Sequence, residues 1–154
     1  MRGRTRWGDL AARLLTWRAL VRAPIWLYRL RIGFLLGQRM LLLEHRGRRS
    51  GVARYTVLEV IDRPRPGRYV VAAGFGHRAQ WCRNLLADPR GRISVGFRRD
   101  VPARPVPLSR ADVEATLARY AELHPGAWSV LGPTLQSALD APLSELPMFE
   151  LAVA

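Results

Sequence analysis

Gly47-Arg48-Arg49-Ser50-Gly51, with Arg54 three residues on, is the densest group of chemistry-capable residues in the chain. Glycine adopts φ > 0 readily, so a pair of them lets a turn aim its backbone N–H groups into one concavity that favours an anion. Ser50 adds a hydroxyl donor. Arg48, Arg49 and Arg54 add charge-assisted hydrogen bonds, each worth about 1.5–3 kcal/mol when shielded from water. The chemistry on offer is recognition of phosphate or carboxylate. The competing reading is a solvated hairpin turn, since a chain this rich in arginine carries many of them on its surface.

A second segment, Gly74-Phe75-Gly76-His77-Arg78-Ala79, matches the dinucleotide fingerprint G-x-G-x-x-G/A, and Asp100 lies at a suitable distance downstream. A dinucleotide fold requires repeated βα units, whereas the short helix after this segment leads into a hairpin pattern. On either reading the glycine pair lets a cofactor approach the backbone. Trp81 and Leu85 form an i,i+4 pair that faces a core, and Asn84 between them either caps the helix or binds a ligand. Cys82 reads as buried filler, with no base near it in sequence. His45, His77 and His124 lack ligand spacing, so no metal site is expected. Neither a G-x-S-x-G element nor a P-loop is present. Hydride transfer asks less of the protein than hydrolysis, because a cofactor carries the reaction and the fold supplies positioning.

These groups need a scaffold. The 154 residues suit one domain, and 49% hydrophobic content suffices for a core. The net charge is +13 and every basic side chain is arginine, so the expected partners are anionic. A lone cysteine excludes an intrachain disulfide and fits a reducing compartment. Met40–His45, Arg54–Asp62, Arg68–Ala73, Arg92–Phe97, Val101–Leu108 and Leu146–Val153 read as strands, with turns at Arg46–Ala53, Arg63–Gly67 and Arg98–Asp100. Ala79–Ala87 reads as a short helix stopped by Asp88-Pro89. Ala111–Leu123 reads as a longer one with Ser109 as its N-cap. Six short strands with few helices between them predict an α+β fold built on a mostly antiparallel barrel. Residues 1–38 form a basic helical extension, and 39–154 the barrel domain. In the extension, Leu10, Leu14, Trp17 and Val21 share one face flanked by Arg13, Arg18 and Arg22. That face suits either an anionic membrane surface, reached through residues 1–31, or the mouth of the barrel. Arginines interrupt its apolar run, so no spanning helix and no signal peptide is expected.

Leu41–Arg54, LLLEHRGRRSGVAR, resembles the strand–turn–strand of the deazaflavin-dependent nitroreductase and quinone reductase family. Gln80–Pro89, QWCRNLLADP, is similar to that family's Trp-x-x-Asn-Leu helix, and Leu146–Leu151 resembles its final strand. The resemblance covers about three quarters of the chain, from Met40 onward. It implies a split β-barrel binding coenzyme F-420, an 8-hydroxy-5-deazaflavin with a phosphodiester and an oligoglutamate tail. The reduced coenzyme would deliver hydride to a quinone, nitroaromatic or activated alkene.

By position, Arg48, Arg49, Ser50 and Arg54 would hold the phosphate and tail. Ala73, Gly74 and Phe75 would line the ring, and Trp81 and Asn84 would support it and the phosphate side of the pocket. The loop before Trp81 is shorter than the family's usual one. His124 and Trp128 stand where family members that reduce nitro compounds often carry tyrosines. Either could line a substrate pocket, and His124 could donate a proton. The plainer alternative has Trp128 in the core and His124 at a helix end. The implied location is cytoplasmic, peripheral at the inner face of the membrane. Two other readings remain at this point: an FMN-binding split barrel, and a non-enzymatic basic module for nucleic acid or anionic membrane.

Overall fold

In a computed structural model of the chain, residues 37–154 are described. The helices expected in the N-terminal extension lie outside them. Six strands run in the order β1 (Met40–Arg46), β2 (Ala53–Glu59), β3 (Arg68–Ala72), β4 (Gly91–Val95), β5 (Arg98–Pro107) and β6 (Met148–Val153). The helices are α1 (Gln80–Ala87) between β3 and β4, then α2 (Arg110–Leu123) and α3 (Pro125–Ala138) between β5 and β6. The sheet order is β2-β1-β4-β5-β6-β3, and every pairing is antiparallel. No parallel βαβ unit exists among these elements, so the Gly74–Ala79 segment is not a dinucleotide turn. The sheet curls until its two edges meet through an Asp62–Val70 bridge, which closes a split barrel.

Alternation of apolar residues directs the curl. In β1, Leu41, Leu43 and His45 point inward while their neighbours face out. Tyr69 and Val71 of β3, Ile93 and Val95 of β4, and Phe149 and Leu151 of β6 meet them in the barrel interior. Trp81, Cys82 and Leu85 of α1 join the same cluster, so α1 plugs one opening. Val70 and Met148 point to the opposite face, where Val113 and Leu117 of α2 and Leu135 of α3 cover them. β3 and β6 are therefore buried on both faces.

Pro102, Pro105 and Pro107 lie in β5, inside the sheet order, where proline is normally excluded. The pairing explains them. β5 bonds β4 through Arg98–Ala103 and β6 through Ala103–Pro107, so each half has a neighbour on one side only. A strand with one open side tolerates a missing N–H.

Three expectations shift. The β4–β5 turn falls at Gly96-Phe97, with Gly96 at φ +56°, and β5 already begins at Arg98. Asp100 is left-handed at φ 48°; its N–H donates to Ser94 Oγ at 2.9 Å and its carboxylate accepts from Arg92 at 2.6 Å. β2 ends at Glu59 rather than Asp62, which reaches β3 only as an isolated bridge. The helix α3 is absent from the sequence reading, because Gly126, Gly132 and Pro133 lower its propensity. Its apolar face, Trp128, Leu131 and Leu135, packs on the second cluster and overrides that penalty. Ser109 caps α2 as expected, accepting from the Asp112 N–H at 3.2 Å. No helix among the described residues is long and apolar enough to cross a membrane.

Phe149 ties strand to plug: it is fully buried and its ring centroid lies 5.7 Å from that of Trp81. Phe149→Ala should lower the unfolding free energy by about 3–5 kcal/mol, measured by urea denaturation of the full chain.

Candidate functional site

The β1–β2 turn is built by its own backbone. Gly47 N–H donates to Val52 O at 2.9 Å, and Gly51 N–H to Gly47 O at 2.7 Å. Gly51 sits at φ +67°, where L side chains are strained. Gly47 is needed for space: a Cβ there would stand 2.6 Å from Ser50 Oγ and 3.2 Å from Arg54 Nε. Ser50 Oγ accepts from the Val52 N–H at 3.3 Å, which leaves its own hydroxyl proton to donate. Together with Gln80 and Asn84, the turn surrounds a cavity of about 340 Å³ lined by Arg48, Arg49 and Arg54. Among the described residues no acidic side chain lines it. Six arginines elsewhere are paired with carboxylates, but among the described residues these three are not. Exposed guanidinium groups clustered without counter-charges favour an anionic ligand.

The turn is docked on α1. Arg48 donates through Nη1 to Gln80 Oε1 and to Asn84 Oδ1, both at 3.0 Å, and through its backbone N–H to the same Asn84 oxygen at 3.2 Å. Asn84 is 3% exposed and its other amide atom, Nδ2, meets His45 Nδ1 at 3.0 Å. Asn84 thus braces the turn from below, through both faces of its amide, rather than capping α1. Sequence reasoning missed His45 and Gln80 as part of this assembly. The available signal was phase: His45 alternates with Leu41 and Leu43, so it had to point into the barrel beside the turn.

His45 is 4% exposed, and Arg54 stands directly opposite it in the ladder. Burial first, and then the Arg54 charge, hold its imidazole down to about 4 from an ordinary 6.5. It is therefore neutral at pH 7.

The other predicted residues are placed as follows. Ala73 is buried, and its N–H donates to Pro147 O at 2.9 Å. Gly74 is backed by Leu135 of α3, and Phe75 is 78% exposed. This loop turns through Gly76–Arg78 directly into α1, so it and the Arg-rich turn converge on the same end of that helix. Trp81 lies in the barrel core, against Phe149, with no polar contact to the turn cavity.

His124 and Trp128 are not brought to the turn. His124 is the residue between α2 and α3, and Trp128 packs on the helix-covered cluster. Both rings approach Tyr120, at 5.0 and 6.3 Å between centroids. His124 and Tyr120 line a separate cavity of about 590 Å³ with Arg39, Glu59 and Asp62. That cavity lies beside the Met40–Glu59 end of the β1–β2 ladder, and the turn beyond its Arg46–Ala53 end. Six residue steps of about 3.4 Å separate them by about 20 Å.

The buried His45 makes stability depend on pH. The unfolded chain takes up this proton near pH 6.5 and the folded chain only near pH 4, so between those values the unfolded state binds more protons. The contribution is complete above about pH 6.5 and is lost as pH falls toward 4. The fall in unfolding free energy from pH 7 to pH 4 should shrink by up to about 3 kcal/mol in His45→Asn, compared by denaturant titration.

An F420-H2 dependent reductase (FDR-A) superposes with a TM-score of 0.54 at 20% identity, over 75% of this chain and 95% of that one. The haem storage protein HutZ from Vibrio cholerae gives 0.54 at 18% identity, over 79% and 85%. A Clostridium acetobutylicum protein of the pyridoxinephosphate oxidase family, related to general stress protein 26 of B. subtilis, gives 0.51 at 9% identity, over 84% of each. At these identities the likeness concerns the fold, the split barrel. No curated protein matches the chain. The profile of the F420H(2)-dependent quinone reductases matches residues 20–129, which take in the turn, the Ala73–Phe75 loop, α1 and Trp128. With well over half of its length matched, the chain belongs to the F420H(2)-dependent quinone reductase family and is an F-420-dependent oxidoreductase.

Proposed function

We propose that this protein binds the reduced F-420 coenzyme by its phosphate and tail in the Arg48–Arg54 cavity and passes its hydride to an electron-poor acceptor, a quinone, nitroaromatic or activated alkene. The observation that carries the reading is the donor set of that cavity: three guanidinium groups, the Ser50 hydroxyl and, among the described residues, no carboxylate. This set fits a phosphodiester followed by carboxylates, and bare Gly47 leaves the room it needs. When bound, the reduced coenzyme supplies the hydride; the protein supplies position and a proton.

Ala73, Gly74 and Phe75 are assigned to the ring because their loop enters α1 at the end where Arg48 docks. Trp81 supports them from the core and Asn84 supports the phosphate side. The acceptor is assigned to the cavity of Tyr120 and His124. Burial, then the Glu59 charge, push the Tyr120 phenol above its ordinary range against the opposing Arg39, so it stays protonated and can give a proton. His124 is the second candidate donor, and Trp128 holds the wall behind Tyr120. The distance between the two cavities requires an extended ligand, as a tricyclic ring joined to a phosphodiester is. A membrane-borne quinone as acceptor would suit the Trp- and Arg-rich sequence of residues 1–31.

Titration of the coenzyme's fluorescence against the full chain tests the reading. The native protein should bind at micromolar affinity or better, and absence of binding overturns it. Arg48→Ala and Arg54→Ala should each raise Kd about 10- to 150-fold, more at low salt. Tyr120→Phe and His124→Ala should lower turnover with a quinone while leaving coenzyme Kd within about twofold.

A further inference from the structure

We infer that His45 is a positioning residue for the coenzyme site: by accepting at Nδ1 it orients the Asn84 amide, and through that amide it holds Arg48 in the geometry that receives the anion. The inference rests on the proposed role of the turn, but its structural core can be tested without any ligand.

Donors and acceptors must match around the Asn84 amide. Asn84 offers an oxygen that accepts and an NH2 that donates, and either could face Arg48. Arg48 presents only donors there, its backbone N–H at 3.2 Å and Nη1 at 3.0 Å. The amide oxygen must therefore face Arg48, which turns Nδ2 toward His45 Nδ1 at 3.0 Å. That nitrogen must be bare and accepting, so the ring proton sits on Nε2. A flipped amide would set NH2 against two donors of Arg48 and its oxygen against a bare ring nitrogen. An imidazolium would set N–H against NH2. Both arrangements leave buried donors facing donors, with His45 and Asn84 each at least 96% covered. The neutrality imposed by burial and by Arg54 agrees with this requirement. An apolar residue at position 45 would match Leu41 and Leu43 in the barrel wall but would leave Nδ2 unpaired and the amide held from the Arg48 side alone.

Two variants separate positioning from packing. His45→Leu fills the space and removes the acceptor. His45→Asn puts a carbonyl oxygen near the place of Nδ1 and restores one. Coenzyme titration should show Kd raised at least about tenfold in His45→Leu and within about threefold of native in His45→Asn. Turnover at saturating coenzyme should stay within about twofold in both, since the residue acts on binding. A native Kd in a folded His45→Leu chain overturns the inference.

The 15N spectrum of histidine-labelled free protein at pH 7 gives a second readout. A bare Nδ1 and protonated Nε2 support the relay; the opposite tautomer or an imidazolium overturns it. Asn84→Asp, which can only accept, should move the proton to Nδ1. If native protein fails to bind the coenzyme, the proposed function falls, and the 15N tautomer alone decides the His45–Asn84 arrangement.

Discussion

One buried amide joins the parts of this protein that matter for its site. Asn84 sits on the helix that plugs the barrel, and its two amide atoms reach Arg48 on the turn and His45 on the wall. An exposed polar contact of this kind would contribute little, because water competes for each partner. Here the Asn84–His45 contact is buried and the Asn84–Arg48 contact partly so, and leaving the amide or the imidazole unpaired carries the cost of its desolvation. The turn, the strand and the helix are thereby held to one mutual arrangement.

That arrangement answers an electrostatic problem. Arginines crowded into a short turn repel one another and would spread into solvent unless something restrains them. Carboxylates restrain many of the other arginines, as Asp100 restrains Arg92 and Asp62 restrains Arg119. At the turn the restraint is neutral: Asn84 and Gln80 take hydrogen bonds from Arg48 without cancelling its charge. The positive field stays available to a ligand, and Arg54 adds to it while helping to keep His45 neutral. Neutral scaffolding around cations without counter-charges suits the proposed anion site better than a surface salt-bridge network would.

The barrel supplies rigidity through a less usual route. A closed ladder would exclude the prolines of β5, yet splitting the strand's partners between β4 and β6 gives each half one open side. The sheet's edges meet where Asp62, just past β2, bridges Val70 of β3. Two cores result, one inside the barrel under α1 and one under α2 and α3. The turn cavity meets α1 at Gln80 and Asn84, and the Tyr120–His124 cavity meets the end of α2.

Local rules were enough to read the strands, the capped helix after Ser109 and the position of the glycine-arginine turn, since alternation, capping and glycine placement act within a few residues. The antiparallel barrel followed from the number and spacing of those strands, and its coenzyme from the resemblance of the turn and the Trp81–Asn84 helix to a known family. The helix over Pro125–Ala138 was not legible, because its glycines and proline oppose it and only burial of Trp128, Leu131 and Leu135 overrides them. Nor was the partnership of Arg48, Asn84 and His45, whose members lie 36 and 39 residues apart across each bond. The separation of His124 from the turn was equally hidden, because it depends on which end of the β1–β2 ladder each segment meets. Residue type and short-range spacing settled what chemistry the chain carries; long-range packing, which alone can bury a histidine against an amide, decided which residues share a site.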